Sequence, residues 1–337
     1  MRVLLLGATG FIGGAIARRL IADGVDVRVL CRDPSAWDGE ALRGDLGDPD
    51  SIAVAAEGCS HVINAAGIVD PDAHPRALRW THVAGMENLL NACRHAEVER
   101  LVHVSCTDVT LANHDRVHWD ELKPVPGKPF GPRAQSLQLA EDLALSASSP
   151  ELATLSLRGA WVWGPGDTSR LPQLCAEGLD GGIKLVGSGT TYLATTYIDH
   201  LVEATVTALT APEAPGRAYH VVDPVFQHAR DFFSALSEAL GLPRPRDGSP
   251  FALAWPIARV RGQGAVELLQ RGKSTLFDFS QACGKLSYDP QVELEAGLAA
   301  VAAWVEEQGG PKAVAAMKRP PPGADAVDAQ VAAAGGD

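Results

Sequence analysis

Wholly apolar runs and one-sided apolar stripes alternate through the first 160 residues of this chain. Val3–Leu6 is uninterrupted apolar sequence, as expected of a strand covered on both faces. Phe11–Ile21 carries its apolar residues on one face and Arg18 and Arg19 on another, which predicts a helix. The same alternation predicts strands at Val25–Cys31, His61–Ala65, Leu101–Ser105 and Ala153–Leu157. It predicts helices at Ser51–Ala56, about Ala77–His95 and Ser136–Ala147. Repeated β-α-β spacing with buried strands means an α/β fold built on a doubly wound parallel sheet over residues 1–160.

Beyond Trp163 the pattern loosens. Gly164, Pro165 and Gly166 form a turn cluster, and helical stripes return near His200–Leu209, Arg230–Leu240 and Glu293–Glu307. Residues 161–308 are therefore expected to form a smaller substrate lobe, partly interleaved with the first domain. From Gly309 onward, small residues and a triple proline bury little area, which predicts a mobile tail over 309–337. Phe251–Ile257 is apolar, but it is short and holds Pro256. It reads as a core or substrate-pocket segment rather than a membrane contact.

Composition narrows the class. Of 337 residues, 46% are apolar and 21% charged, as in an ordinary globular protein. Lysine and arginine number 29 against 41 acids, a net charge of −12 with no basic block, which argues against a nucleic-acid partner. Cys31, Cys59, Cys93, Cys106, Cys175 and Cys283 lie far apart and lack zinc-ligand spacing, so reduced thiols in a cytoplasmic protein are expected. The apolar start runs at once into glycines, unlike a signal peptide. No uncharged apolar run approaches the roughly 18 residues that a transmembrane helix needs.

The most informative chemistry is at the start. The first strand leads directly into Gly7, Ala8, Thr9, Gly10, Phe11, Ile12 and Gly13, and a helix follows. Gly7 permits a tight turn, Gly10 lets backbone approach a pyrophosphate at the helix N-terminus, and Gly13 lets helix and strand pack closely. The position between strand and helix favours dinucleotide binding over a merely structural turn.

With these residues the chain resembles the extended short-chain dehydrogenase/reductase superfamily, whose members include NAD-dependent epimerases and dehydratases. Within it, the chain is similar to the 3β-hydroxysteroid dehydrogenase/isomerase-like and dihydroflavonol-reductase-like group. Further motifs follow in order over roughly residues 1–308. They are Gly44-Asp45-Leu46, Asn64-Ala65-Ala66-Gly67, Leu157-Arg158, Trp163-Gly164-Pro165-Gly166-Asp167, Tyr197-Ile198-Asp199 and Tyr288-Asp289-Pro290. The resemblance implies a Rossmann domain in which Asp45 and Leu46 contact adenine. It places Ala65, Ala66 and Gly67 along the ribose and nicotinamide. Arg32 stands where an acidic residue usually holds the 2′-hydroxyl of NAD. A guanidinium there suits a 2′-phosphate and favours NADP, while the adjacent Asp33 would serve NAD. Both are also ordinary loop charges. A homodimer is a further expectation from the resemblance.

The catalytic Tyr-x-x-x-Lys of that superfamily is missing. Aligned without gaps on Ala140 and Glu141, its two positions hold Arg133 and Leu137. Aligned on Pro129 with a three-residue insertion, they hold Phe130 and Ala134. Cys106 occupies the usual serine position, with Thr107 beside it. A hydride needs only an oriented nicotinamide. An inward Arg133, or the Thr107 hydroxyl, would polarise a carbonyl, but arginine supplies no base, so reduction is favoured over oxidation. His103 reads as structural, and His114 and His118 as stand-in acids on the following loop. The expected function is an NAD(P)H-dependent reductase of a bulky apolar, cyclic ketone. Trp161, Trp163, Phe251, Leu253 and Trp255 are candidates for the pocket wall. The competing reading is a non-catalytic dinucleotide-binding sensor or partner subunit.

Overall fold

A computed structural model describes residues 1–124, 127–261 and 264–317. Its strands, in chain order, are β1 (Arg2–Leu6), β2 (Asp26–Cys31), β3 (Ala41–Arg43), β4 (His61–Asn64), β5 (Arg100–Cys106), β6 (Arg116–Trp119), β7 (Ala153–Gly159), β8 (Trp161–Trp163), β9 (Thr195–Tyr197), β10 (Ala218–Val221) and β11 (Thr275–Phe277). Seven of them form one parallel sheet in the order β10-β7-β5-β4-β1-β2-β3. This is the doubly wound sheet expected, with β3 and β10 added at its two edges.

The apolar run of β1 is explained by its central place. Leu5 aligns with Val29 on one neighbour and with Ile63 on the other. Alternate residues point to opposite faces of a strand. Val3 and Leu5 join the core beneath the helix Phe11–Ala22, with Ile16 and Leu20. Leu4 and Leu6 join the opposite core, with Ile52, Met86 and Leu89. The sheet order reverses beside β1, between β2 and β4, which opens a crevice at the carboxyl ends of the strands.

The second half of the chain is threaded through the first. β10 returns to the main sheet beside β7, while β6 pairs with β11 and β8 with β9 in two small ribbons. Three expectations need correction. The helix expected at Ala77–His95 starts at Pro75 and contains a π-helical stretch, Trp80–Ala84, that carries the buried His82. The apolar segment at 251 is part of a surface helix, Phe251–Arg261, in which Leu253, Ile257 and Val260 are exposed, while Phe251 and Trp255 pack half-buried on a small apolar cluster with Leu111 and Leu269. Residues 311–315 of the expected tail form a helix that packs on the helix Leu171–Leu179 and buries Val314 in the main core. Residues 318–337 of that expected tail lie outside the described residues. All six cysteines are free thiols. No helix among the described residues is long and apolar enough to cross a membrane.

Candidate active site

A cavity of about 430 Å³ opens over the carboxyl ends of β1, β4 and β5. Its first wall is the turn after β1. Gly7 has φ of +86°, and a Cβ there would lie 2.5 Å from the Ala65 carbonyl oxygen, so only glycine lets β1 and β4 approach so closely. A Cβ at Gly13 would lie 2.1 Å from the Gly7 oxygen. Gly10 is different: its φ is negative, and a Cβ there would meet only the Gly7 oxygen at 3.4 Å. No side chain caps the helix at Gly10, and Phe11, Ile12 and Gly13 line the cavity. The first N–H groups of that helix thus face open space, where an anion is favoured.

Thr9, Arg32, Asp45, Leu46, Ala65, Ala66 and Gly67 line the same cavity. Asp45 accepts a hydrogen bond from the Gly47 N–H at 2.8 Å. Asp33 does not line it. That carboxylate is spent on Ser35, accepting from its N–H at 3.1 Å and its hydroxyl at 2.7 Å. Arg32 makes no ion pair or hydrogen bond with a described residue.

The other end of the cavity is built around Arg133. Arg133 and Leu137, one helical turn apart on Pro132–Ser146, both line it. Phe130 and Ala134 instead join a separate apolar cluster with Trp255 and Leu269. The Arg133 guanidinium donates Nε to the Ile68 carbonyl at 3.0 Å and Nη1 to Asp108 Oδ2 at 2.9 Å. Its Nη2 makes no hydrogen bond with a described residue. Gln270 donates to both Asp108 oxygens, at 2.9 and 2.8 Å. Burial opposes charge on Asp108, but Arg133 and then Gln270 outweigh it and hold the carboxyl below its usual range.

His82 fixes the same corner from behind. Its Nε2 accepts from the Ile68 N–H at 3.0 Å, which leaves the proton on Nδ1 for Ser136 Oγ at 2.8 Å. Ser136 in turn donates to the Arg133 carbonyl. Burial, helped by Arg133 and His103, pushes His82 down to about 3, so the ring is neutral at pH 7.

Cys106 and Thr107 also line the cavity. Burial, and next Asp108, push the Cys106 thiol up, which keeps it protonated and unreactive as a nucleophile. The Thr107 hydroxyl makes no hydrogen bond with a described residue. Among residues lining the cavity there is no tyrosine and no lysine. Tyr197 lies in the core against Trp163, and Tyr192 stacks on His228. Of the aromatic and apolar residues expected in the pocket wall, Trp161 lines it, whereas Trp163, Phe251, Leu253 and Trp255 do not. His114 and His118 are outside it too, and His103 is buried in its floor.

Asp108, Gln270 and His82 were not singled out in the sequence. Asp108 carried a signal, an acid just past a buried strand. Gln270 comes from the helix Ala265–Gly272, far along the chain, and nothing local marks it.

The model of the NAD dependent epimerase/dehydratase family matches residues 3–222. The chain is 30% identical to the 2-alkyl-3-oxoalkanoate reductase of Stenotrophomonas maltophilia (strain K279a), over 88% of this chain and 97% of that protein. It is 28% identical to the 4-hydroxy-2-methyl-3-oxo-4-farnesyl-3,4-dihydroquinoline-1-oxide ketoreductase of Stigmatella aurantiaca, over 94% of this chain and 99% of that one. Among solved structures, the dTDP-glucose 4,6-dehydratase DesIV from Streptomyces venezuelae, with NAD bound, superposes with a TM-score of 0.75 at 24% identity, covering 92% of this chain and 98% of that one. That likeness concerns the fold alone. A matching family model over most of the chain, on a sheet with this crevice and this glycine turn, means that the protein belongs to the NAD dependent epimerase/dehydratase family.

Proposed function

We propose that this oxidoreductase reduces a bulky apolar ketone with NADPH, and that Arg133 takes the place of a tyrosine in polarising the carbonyl. The carrying observation is the Arg133 guanidinium, fixed by Asp108 and Ile68 with Nη2 left over at the cavity wall. Two relatives bear the names of ketone reductases.

The site fits a nicotinamide dinucleotide. Gly7 and Gly13 are too crowded for any side chain, the uncapped helix at Gly10 would hold the pyrophosphate, and Asp45, Leu46 and Ala65 to Gly67 would flank the nucleosides. Bound, the nicotinamide supplies the hydride. The lack of partners for Arg32, with Asp33 committed to Ser35, favours the 2′-phosphate of NADP.

The chain's own contribution is electrostatic. Arg133 presents a permanent cation to the oxygen that gains charge as a carbonyl becomes an alkoxide. Asp108, Ile68 and His82 hold that cation in place before substrate arrives. The Thr107 hydroxyl is a second donor on the same wall. The proton that completes the alcohol comes from solvent, because His82 is neutral and Cys106 is a poor acid. Cys106 contributes a small apolar surface.

NADH or NADPH is mixed with the protein and a panel of cyclic and open-chain ketones, and loss of reduced-cofactor absorbance is followed. Turnover with ketones, faster with NADPH, is expected. Tight cofactor binding without turnover on any ketone would instead indicate a dinucleotide sensor, as the missing tyrosine and lysine allow.

A further inference from the structure

We infer that the open face of the surface helix Phe251–Arg261 docks on an anionic lipid bilayer, with the helix lying along the membrane surface. The inference is independent of the reductase reading. At 3.6 residues per turn, Phe251, Ala254, Trp255 and Ala258 fall on one side of this helix. Phe251 and Trp255 stack with ring centroids 5.6 Å apart, and Trp255 meets Phe130 at 5.1 Å. Through the small cluster with Leu111 and Leu269, that side is fastened to the body of the protein.

The opposite side is apolar as well. Leu253, Ile257 and Val260, at i, i+4 and i+7, share one face and are 67%, 55% and 88% exposed. A helix that is apolar all round is normally covered all round. Among the described helices, no other exposes more than one large apolar side chain. Isolated apolar residues are ordinary on a surface, but a contiguous patch marks a contact.

The charges say what covers it. With Leu253 and Val260 at the centre of the open face, Arg261 falls to one side and Arg259 to the other. Both arginines are exposed, and neither makes an ion pair or hydrogen bond with a described residue. Residues 251–261 include these two cations and no acid, in a chain whose net charge is −12. Glu267, on the helix Ala265–Gly272 packed alongside, is paired with Arg271 at 2.7 Å. An apolar centre flanked by free guanidiniums matches acyl chains beneath anionic headgroups, which the long arginine side chains can reach. A symmetric contact with a second copy would add two more arginines from the same helix and no acid to pair them.

The depth of the contact also follows. Eleven residues make about 16 Å of helix, half of the roughly 30 Å hydrocarbon core, so the helix lies in the interface rather than across it. Pro256 has no N–H to give the carbonyl of Ala252, an exposed residue. The headgroup region can hydrate that carbonyl, and the bilayer core cannot.

The test is flotation of the full-length protein with vesicles of phosphatidylcholine, alone or with about one-third phosphatidylglycerol, at low and high salt. The mixed vesicles are expected to bind it about ten-fold or more tightly than the neutral ones, and less so at high salt. No flotation with mixed vesicles, or equal binding to both kinds, overturns the inference. Leu253→Gln with Val260→Gln changes only exposed positions, so the urea midpoint should stay put while vesicle binding falls about ten-fold or more. Undiminished binding by that variant places the contact elsewhere and overturns the assignment. Arg259→Gln with Arg261→Gln should lower binding to mixed vesicles to the neutral level, and no loss counts against the charged rim. Gel filtration supplies the last arm: a wild-type dimer that Leu253→Gln with Val260→Gln dissolves would make this face a contact between copies and overturn the membrane reading.

Discussion

Asp108 and Arg133, from the end of β5 and from the helix Pro132–Ser146, meet in a 2.9 Å ion pair at the cavity wall, and both side chains are nearly buried. The pair makes the orientation of the cation, as well as its presence, a property of the fold. Arg133→Ala should lower ketone turnover by about 10²-fold, the scale of losing one oxyanion donor. Asp108→Asn keeps the shape but removes the counter-charge. It should lower kcat while leaving the affinity for reduced cofactor unchanged. Steady-state kinetics with separate cofactor titrations checks both, and an Arg133→Ala enzyme with wild-type kcat would remove arginine from the mechanism.

Direction follows from the same groups. Oxidation of an alcohol needs a base that titrates near neutral pH. His82, lowered to about 3, accepts no proton at pH 7, and burial also lowers His103. Oxidation of the product alcohol should therefore be very slow at pH 7 in the wild type, measured as formation of reduced cofactor. Tyr and Lys introduced at 133 and 137, which share the cavity face, should raise that rate. Brisk wild-type oxidation would reveal a base outside this set.

The three glycines of the turn should separate binding from folding. Gly10→Val meets only a 3.4 Å contact and should leave a folded protein that no longer binds dinucleotide. Gly13→Val drives a Cβ to 2.1 Å from the Gly7 oxygen and should fail to fold. Calorimetry and circular dichroism distinguish the two. A Gly10→Val protein with wild-type cofactor affinity would move the binding site elsewhere.

Cofactor choice should follow Arg32. Arg32→Ala should weaken NADPH by about ten-fold and NADH much less, since only NADPH has a 2′-phosphate to lose its partner. Parallel fluorescence titrations decide this, and equal losses would exclude Arg32 as the phosphate ligand.

Stability at low pH should depend on Asp223. This buried carboxylate accepts from Trp163 Nε1, Thr195 Oγ1, the Tyr197 N–H and His200 Nδ1. Burial opposes its charge, but His200 and the other donors outweigh it, so its folded pKa lies below the unfolded value of about 3.9. Its stabilisation is present above that value and is lost as pH falls through the folded pKa. Asp223→Asn should cost about 3 kcal/mol at pH 7. The gap to wild type should narrow as pH drops below about 4. Urea midpoints across that range report it, and a gap that widens in acid would reverse the assigned sign.

Local pattern made the sheet legible where both faces are covered. β1 reads as buried from Val3–Leu6 alone, and Gly7 and Gly13 announce a turn in which those two positions admit no side chain. The two added edge strands are short, three residues at β3 and four at β10, too few to show a period. The helix at Phe251–Arg261 misled because apolar content does not report which side a segment faces. Arg133 was visible as a departure from a motif. Its supports were not: Ile68, His82, Asp108 and Gln270 lie on four different elements, and only tertiary packing joins them.

The short helix Pro311–Ala315 rests against the helix Leu171–Leu179, whose leading edge is Arg170, and Val314 is sealed between them and the main core. The helix Pro311–Ala315 is therefore a brace for the Arg170 side of the cavity. Trimming the protein at residue 309, or fusing a tag there, amounts to loosening one wall of the cavity. Such a shortened protein would still hold its dinucleotide while its choice of ketone broadens, a change that a cofactor-binding assay alone would miss.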